Sequence, residues 1–277
     1  MRKIKIVSDS ACDIFSLPAV DFASAPMKLI TAEREFVDNE ALDVDEMVDF
    51  LDKYKGKSKS SCPNTSDWIS AFGDADEVFC TTITGALSGS CNSANTAKKV
   101  YESQNEGKRV FVIDTLSTGP EIMLILEKLE ELAKSGLSYE DICREITEYQ
   151  KKTGLLFMLK SLKNLANNGR VSPLIAKAIG ILGICIVGKA SDEGTLEQLH
   201  KCRGERNSIK TLLESLEKEG YCGGMVSIGY CKNESAALGL KSFILEKHGG
   251  ASVDIHKLRG LCSFYAENGG ILVGFEK

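Results

Sequence analysis

The chain has 277 residues, 43% of them apolar and 26% charged, and a formal net charge of −5. That is enough chain for two domains, and the acidic balance without a basic block excludes the clustered lysines and arginines that nucleic-acid binding needs. No apolar run approaches the roughly 18 residues of a membrane span, and no long apolar segment follows the basic start Met1-Arg2-Lys3, so a cytoplasmic protein is expected.

In chain order, Ile4 to Val7 reads as a buried strand over 4–8 that runs into the polar turn Ser8-Asp9-Ser10. A weaker extended stretch lies near 26–30, and helices are expected to begin around Asp45-Glu46-Met47 and Thr65-Ser66-Asp67-Trp68. Strands at 78–83 and 110–113 each run into a turn bearing hydroxyls and glycine: Thr84 to Ser90, and Asp114 to Gly119. A helix follows each turn. Over 120–134 the spacing places Ile122, Leu126, Leu129 and Ala133 on one face of an amphipathic helix. Ser138 then caps another helix, which runs to about 152. Strand and helix alternate, which predicts a mostly parallel sheet.

The second half has a different texture. Leu155 to Leu159 is a short apolar run, followed by a helical piece to about Ala166 and a sharp turn at Asn167-Asn168-Gly169-Arg170. Ile184 to Val187 and Thr195 to Cys202 suggest a hairpin around Asp192-Glu193-Gly194. Helices are predicted at Asn207 to Lys218 and Glu234 to Lys247, with strands at Met225 to Tyr230, Ser252 to His256 and Ile271 to Phe275. The fold class is therefore α/β, with an N-terminal, mostly parallel βαβ domain over 1–153 and a C-terminal α+β domain over 154–277. A ligand is expected between or within them. The ten cysteines contain no C-x-x-C pair, and the three histidines do not pair with cysteines at ligand spacing. Reduced thiols are expected, with no metal and no bound cofactor.

In open α/β sheets, ligands gather at the carboxyl ends of strands, and helix N-termini there suit an anion. Leu87-Ser88-Gly89-Ser90 joins a buried strand to a helix, so its free N–H groups with the Ser88 and Ser90 hydroxyls suit a carboxylate or phosphate, and Gly89 permits close backbone approach. Ser90 as a plain helix cap accounts for the same residues. Ser117, in the next turn, is a further candidate. Asn64 to Asp67 reads as a helix start, but that leaves Ser60 and Ser61 unexplained, and a cleft would use them. Asp9, Asp13 and Asp114 suit turn capping. Arg170 and Arg203 each lie at a turn or strand end, where a guanidinium can meet phosphate in bidentate fashion.

Ile6-Val7-Ser8-Asp9-Ser10, Leu87-Ser88-Gly89-Ser90, Val112-Ile113-Asp114-Thr115, Asn168-Gly169-Arg170-Val171-Ser172 and Lys201-Cys202-Arg203, in this order, resemble the DegV family of bacterial fatty-acid-binding proteins. The resemblance covers essentially the whole chain. It implies two α/β domains with an acyl chain buried in the C-terminal one and its carboxylate near the interdomain cleft. It also implies a non-catalytic role, in which a separate fatty acid kinase phosphorylates the carboxylate. Ser88 falls on the family's carboxylate-binding serine, Ser60-Ser61-Cys62-Pro63-Asn64 on its Thr-Ser-Gln-Pro-Ser loop, and Arg170 and Arg203 on positions that face the phosphate or the kinase. The chain departs from the family where a histidine helps to bind the carboxylate: that position falls at Ala266 or one residue to either side, with Tyr265 as a substitute and Glu267 as a nearby repulsive charge. Cys185-Ile186 stands where a Lys-Pro pair is usual.

Two functions remain open on the residues alone. One is a carrier for a long-chain fatty acid, with transient contact with a membrane surface. The other is an enzyme acting on a small phosphorylated or carboxylated metabolite at the strand ends. An enzyme needs a general acid or base in reach, and Asp9, Asp114 and the more remote His256 have no evident partner. Apolar segments 155–159, 174–187 and 271–275 suit a tunnel or a plain core equally well.

Overall fold

The computed structural model describes residues 2–172 and 183–277. Three sheets organise it. The first is parallel throughout, in the order β2-β1-β6-β7: β1 is Ile4–Asp9, β2 Asp21–Ala25, β6 Glu77–Thr82 and β7 Arg109–Asp114. The Val78–Cys80 run is wholly buried, as expected for a parallel strand covered on both faces. Three short antiparallel strands form a second sheet, β4-β3-β5, with β3 at Lys28–Ile30, β4 at Glu35–Val37 and β5 at Lys59–Ser61.

The third sheet has six strands in the order β10-β9-β8-β13-β11-β12. These are β8 (Thr153–Leu159), β9 (Ile184–Ala190), β10 (Leu196–Arg203), β11 (Met225–Tyr230), β12 (Ser252–Lys257) and β13 (Ile271–Glu276). Only β11 and β12 pair in parallel; the other four ladders are antiparallel. This is the α+β texture expected for the second half, and the hairpin around residues 192–194 joins β9 to β10.

Helices α1 (Val44–Lys53), α2 (Thr65–Phe72), α3 (Ser90–Gln104), α4 (Pro120–Lys134) and α5 (Tyr139–Gln150) fall close to their predicted starts. The short α6 (Lys163–Asn167) ends near the expected Ala166, and α7 (Glu205–Lys218) and α8 (Glu234–Lys247) begin close to expectation. A ninth described helix, α9 (Gly260–Ala266), has no counterpart in the sequence reading. None of the described helices is long and apolar enough to cross a membrane.

Helix α4 corrects one expectation. A single apolar face was predicted, but Leu124, Ile125 and Leu132 are buried along with Ile122, Leu126 and Leu129, while Ala133 is only half-buried. The helix packs on β1 and β6 of the parallel sheet and also on β8, β11 and β13 of the six-stranded sheet, so it has two buried sides. It is the shared layer between the sheets.

Candidate functional site

Strand β8 shows how one apolar run serves two purposes. Successive side chains on a strand point to opposite faces. Leu156 and Met158 enter the core between the six-stranded sheet and helices α7 and α8, while Leu155, Phe157 and Leu159 face the other way. These three, with Leu196 and Leu272, line a cavity on the α4 side of the sheet. The opposite wall comes from Met27, Ile83 and Leu87, with Leu261 and Cys262 of α9. The cavity encloses about 720 Å3, its open mouth included. Of the segments considered for a tunnel, 155–159 and 271–275 supply walls, and 174–182 lies outside the described residues.

Polar side chains enter this lining chiefly as one set. Ser60, Ser88, Arg170 and Tyr265 all line the cavity, with Thr84 and Thr118 beside the apolar walls. Ser60 Oγ and Tyr265 Oη are 2.7 Å apart. The Arg170 guanidinium carbon lies 5.9 Å from the Tyr265 ring centre, and its Nε donates to the Leu87 carbonyl at 3.2 Å. Arg170 also donates to the carbonyl of Asn168, across the turn that Gly169 makes with φ of 72°. Burial pushes the Tyr265 phenol above its ordinary value, against the opposing pulls of Ser60 and Arg170. The phenol therefore stays a neutral hydrogen-bond donor, able to serve a carboxylate.

The remaining candidates are placed elsewhere. Ser61 neighbours Ser60 on β5, so it points to the other face and is exposed. Gly89 is exposed at the start of α3, with the Cys62 thiol 3.3 Å from where a Cβ would sit. Ser90 is fully buried, and its hydroxyl donates to Asp9 Oδ2 at 2.6 Å rather than entering the cavity. Ser117 is buried outside the lining, and its carbonyl accepts from the Thr84 amide at 2.9 Å. Arg203 is exposed at the end of β10. Seven residues separate it from Leu196 at the cavity wall, about 23 Å of extended strand. Arg203 therefore does not join this cluster.

At α9 one sequence-based expectation changes, the one for Glu267. The side chain that reaches the polar end of the cavity with a hydrogen-bonding atom is Tyr265, and Ala266 beside it supplies only apolar wall. Glu267 does not repel an anion there. Its carboxylate accepts from Ser161 Oγ at 2.8 Å and from the Asn164 amide at 3.0 Å, where it caps α6. The sequence reading also missed Asp38. Its two carboxylate oxygens accept from the Gly260 and Leu261 amides at 2.9 and 2.8 Å, satisfying the start of α9 from 222 residues away.

The turn that carries Ser88 is tied down from below. Thr84 Oγ1 donates to the Gly194 carbonyl at 2.9 Å, which pins the tip of the β9–β10 hairpin to the end of β6. Asp9 accepts from the Ile83 amide at 3.0 Å and from Ser90 Oγ, so the loop between β6 and α3 is held at both ends by one buried carboxylate. What results is an apolar chamber closed at one end by two hydroxyls, a phenol and a guanidinium. That arrangement fits an amphiphile with an anionic head.

Comparison with known proteins gives the same reading of the fold. The family model described as "Uncharacterised protein, DegV family" matches residues 3–277. A DegV domain-containing protein of Streptococcus pneumoniae strain R6 is 44% identical over 276 residues, 98% of each chain. Two solved structures superpose with a TM-score of 0.97 at 43% identity: a DegV family protein from Eubacterium eligens loaded with heptadecanoic acid, and the Streptococcus pneumoniae Fatty Acid Kinase (Fak) B3 protein loaded with linoleic acid. The first covers 99% of both chains, the second 100% of this chain and 99% of its own. The matches run along nearly the whole length of the chain, and the chain belongs to the DegV family.

Proposed function

We propose that this protein binds a long-chain fatty acid and presents its carboxylate to a separate fatty acid kinase. The observation that carries the reading is the cavity itself: apolar walls from both halves of the chain, with one polar end at Ser60, Ser88, Arg170 and Tyr265. The loaded states of the Eubacterium and Streptococcus relatives support the ligand class, and the Streptococcus protein's designation supports the kinase as partner. Residues 1–153 and 154–277 are taken as the two domains, a division supported by sheet membership: apart from Thr153, the first residue of β8, no described sheet mixes strands from the two segments. Transient contact with a membrane surface belongs to the same proposal. The protein is a non-catalytic subunit. Among the described residues the titratable side chains of the lining are Arg170, Tyr265 and Cys262, and the phenol and the thiol are both pushed above their ordinary values, so none of these described side chains suits a general base.

Native mass spectrometry of the purified protein tests the ligand. A bound species of fatty-acid mass supports the carrier, whereas an empty protein that turns over a small phosphorylated or carboxylated metabolite supports the enzyme instead. Ser88→Ala removes one hydrogen bond to a charged group and is expected to weaken fatty-acid binding by roughly 1.5–3 kcal/mol with little change in stability. Unchanged binding by calorimetry would reduce Ser88 to a turn residue. Arg170→Lys is expected to keep acyl binding but lose phosphoryl transfer in a reconstituted kinase assay, because an ammonium cannot reproduce the guanidinium fork. Equal loss of both would overturn that division of roles.

A further inference from the structure

Asp9 is fully buried at the end of β1, hydrogen-bonded to the amide of the wall residue Ile83 and to the Ser90 hydroxyl, and has no role in the ligand reading above. Three contacts define what it does. Its Oδ2 accepts from the Ile83 amide at 3.0 Å and from Ser90 Oγ at 2.6 Å, and its Oδ1 accepts from the Ala11 amide at 3.3 Å. Ile83 lines the cavity, and the Ser90 amide in turn donates to Ser88 Oγ at 3.2 Å. A single carboxylate therefore fixes both ends of the loop that carries Ser88, and it does so from behind the hydroxyl on which an anion would rest.

Resting on the fatty-acid reading of this site, we infer that Asp9 is the positioning residue of the Ser88 loop, and that a ligand carboxylate arriving over Ser88 is matched by proton uptake at Asp9. The argument is one of like charges linked through Ser90, whose hydroxyl donates to Asp9 and whose amide donates to Ser88. Burial already pushes Asp9 up to about 6, and the charge acting on it, that of Asp38, opposes its ionisation further. The groups around it supply no compensating charge. Cys12 on its own turn, Cys80 on β6 and Cys91 on α3 are thiols pushed above their ordinary range by burial and by Asp9 itself. Cys62, beside Gly89, is raised by burial and by Asp9 but lowered by Arg170, so the fields of Asp9 and of the head-end guanidinium overlap there. Asp13 lies on the same turn and is also raised by burial. A second negative charge brought to Ser88 raises Asp9 further and draws a proton onto it between about pH 6 and 8. An aliphatic carboxylic acid resembling the Glu side chain, with an ordinary value of about 4.3, stays ionised over that range.

The test is calorimetric titration of the full-length protein with monomeric hexadecanoate at pH 6, 7 and 8, in two buffers of different ionisation enthalpy. For the wild type we expect proton uptake on binding and an affinity that falls roughly tenfold from pH 6 to pH 8. Asp9→Asn is expected to flatten the pH profile and abolish the uptake. Ser90→Ala removes no group facing the cavity but takes away a hydrogen bond that lowers Asp9, so it is expected to weaken binding about tenfold at pH 8 and to move the pH-dependent fall in affinity to higher pH. Wild-type affinity in Ser90→Ala, or an unchanged slope and proton count in a folded Asp9→Asn, overturns the inference. If Asp9→Asn does not fold, the wild-type proton count and Ser90→Ala decide it. Failure of the wild type to bind hexadecanoate at all would instead overturn the ligand reading, and with it this inference.

Discussion

Replacing Gly274 by alanine is expected to destabilise the protein by about 3 kcal/mol, the upper part of the usual range for overpacking a close contact. Gly274 lies in the middle of β13, paired with Ser227 on one side and Leu155 on the other. A Cβ there would sit 2.4 Å from the Glu121 amide nitrogen and 2.4 Å from the Pro120 carbonyl carbon, at the first turn of α4. Those are backbone atoms, so no side chain can rotate aside, and helix and strand would have to part. Helix α4 is the shared layer between two sheets, so the displacement disturbs both cores. It also reaches the cavity: Gly119, which leads into α4 with φ of 57°, lies with its Cβ position 3.3 Å from both Cys262 and Leu272, two wall residues. Fatty-acid affinity is therefore expected to fall together with stability. Urea unfolding with a free energy within 1 kcal/mol or so of the wild type would show that the contact yields easily.

What could be read from the sequence followed chain-local physics. Of the first sheet, β1, β6 and β7 were visible as continuous apolar runs, whereas β2, only partly buried, was not; α2 and α5 were visible because Asn64 and Ser138 cap them from adjacent positions. Leu155 to Leu159 was visible as an apolar run, but not the division of its side chains between a core and a cavity, because both faces are apolar. Ser60 and Ser61 are equivalent as letters; only the pairing of Ser60 with Leu29 on β3 assigns Ser60 inward and Ser61 outward. Helix α9 was invisible for a related reason. It is seven residues long, and its cap is Asp38, far away in sequence. Of the β4-β3-β5 sheet only the extended stretch near 26–30 was read, because three-residue strands are too short to show a period. Tyr265 was reached only as a substitute for a missing histidine, whereas its 2.7 Å contact with Ser60 is a fact of the fold.

Asp13→Asn is expected to stabilise the protein at pH 8 by about 2 kcal/mol and to leave it unchanged at pH 4. Asp13 is buried beside Asp38 and Arg259, and desolvation pushes it up to about 7, only partly offset by the Arg259 amide and guanidinium. Its Oδ1 accepts from the Arg259 amide at 2.8 Å, while its Oδ2 has no hydrogen-bond partner. A carboxyl raised in the folded state contributes its full stability below the unfolded value near 3.8, and that contribution is lost as pH rises through about 7. The whole shift converts to about 4 kcal/mol; with Asp38 and Arg259 coupled to it, roughly half of that is expected from this residue alone. Asparagine keeps the Oδ1 acceptor, carries no charge, and tolerates the left-handed backbone that Asp13 adopts at φ of 60°. Asp9, Asp38 and Glu121 are also raised by burial and remain in the variant, so the decline in stability between pH 4 and pH 8 should be reduced rather than abolished. Thermal or urea unfolding across that range checks the sign. A variant less stable than the wild type at pH 8 but matched to it at pH 4 would mean that Asp13 is held ionised by Arg259 and that the buried cluster works as an ion pair.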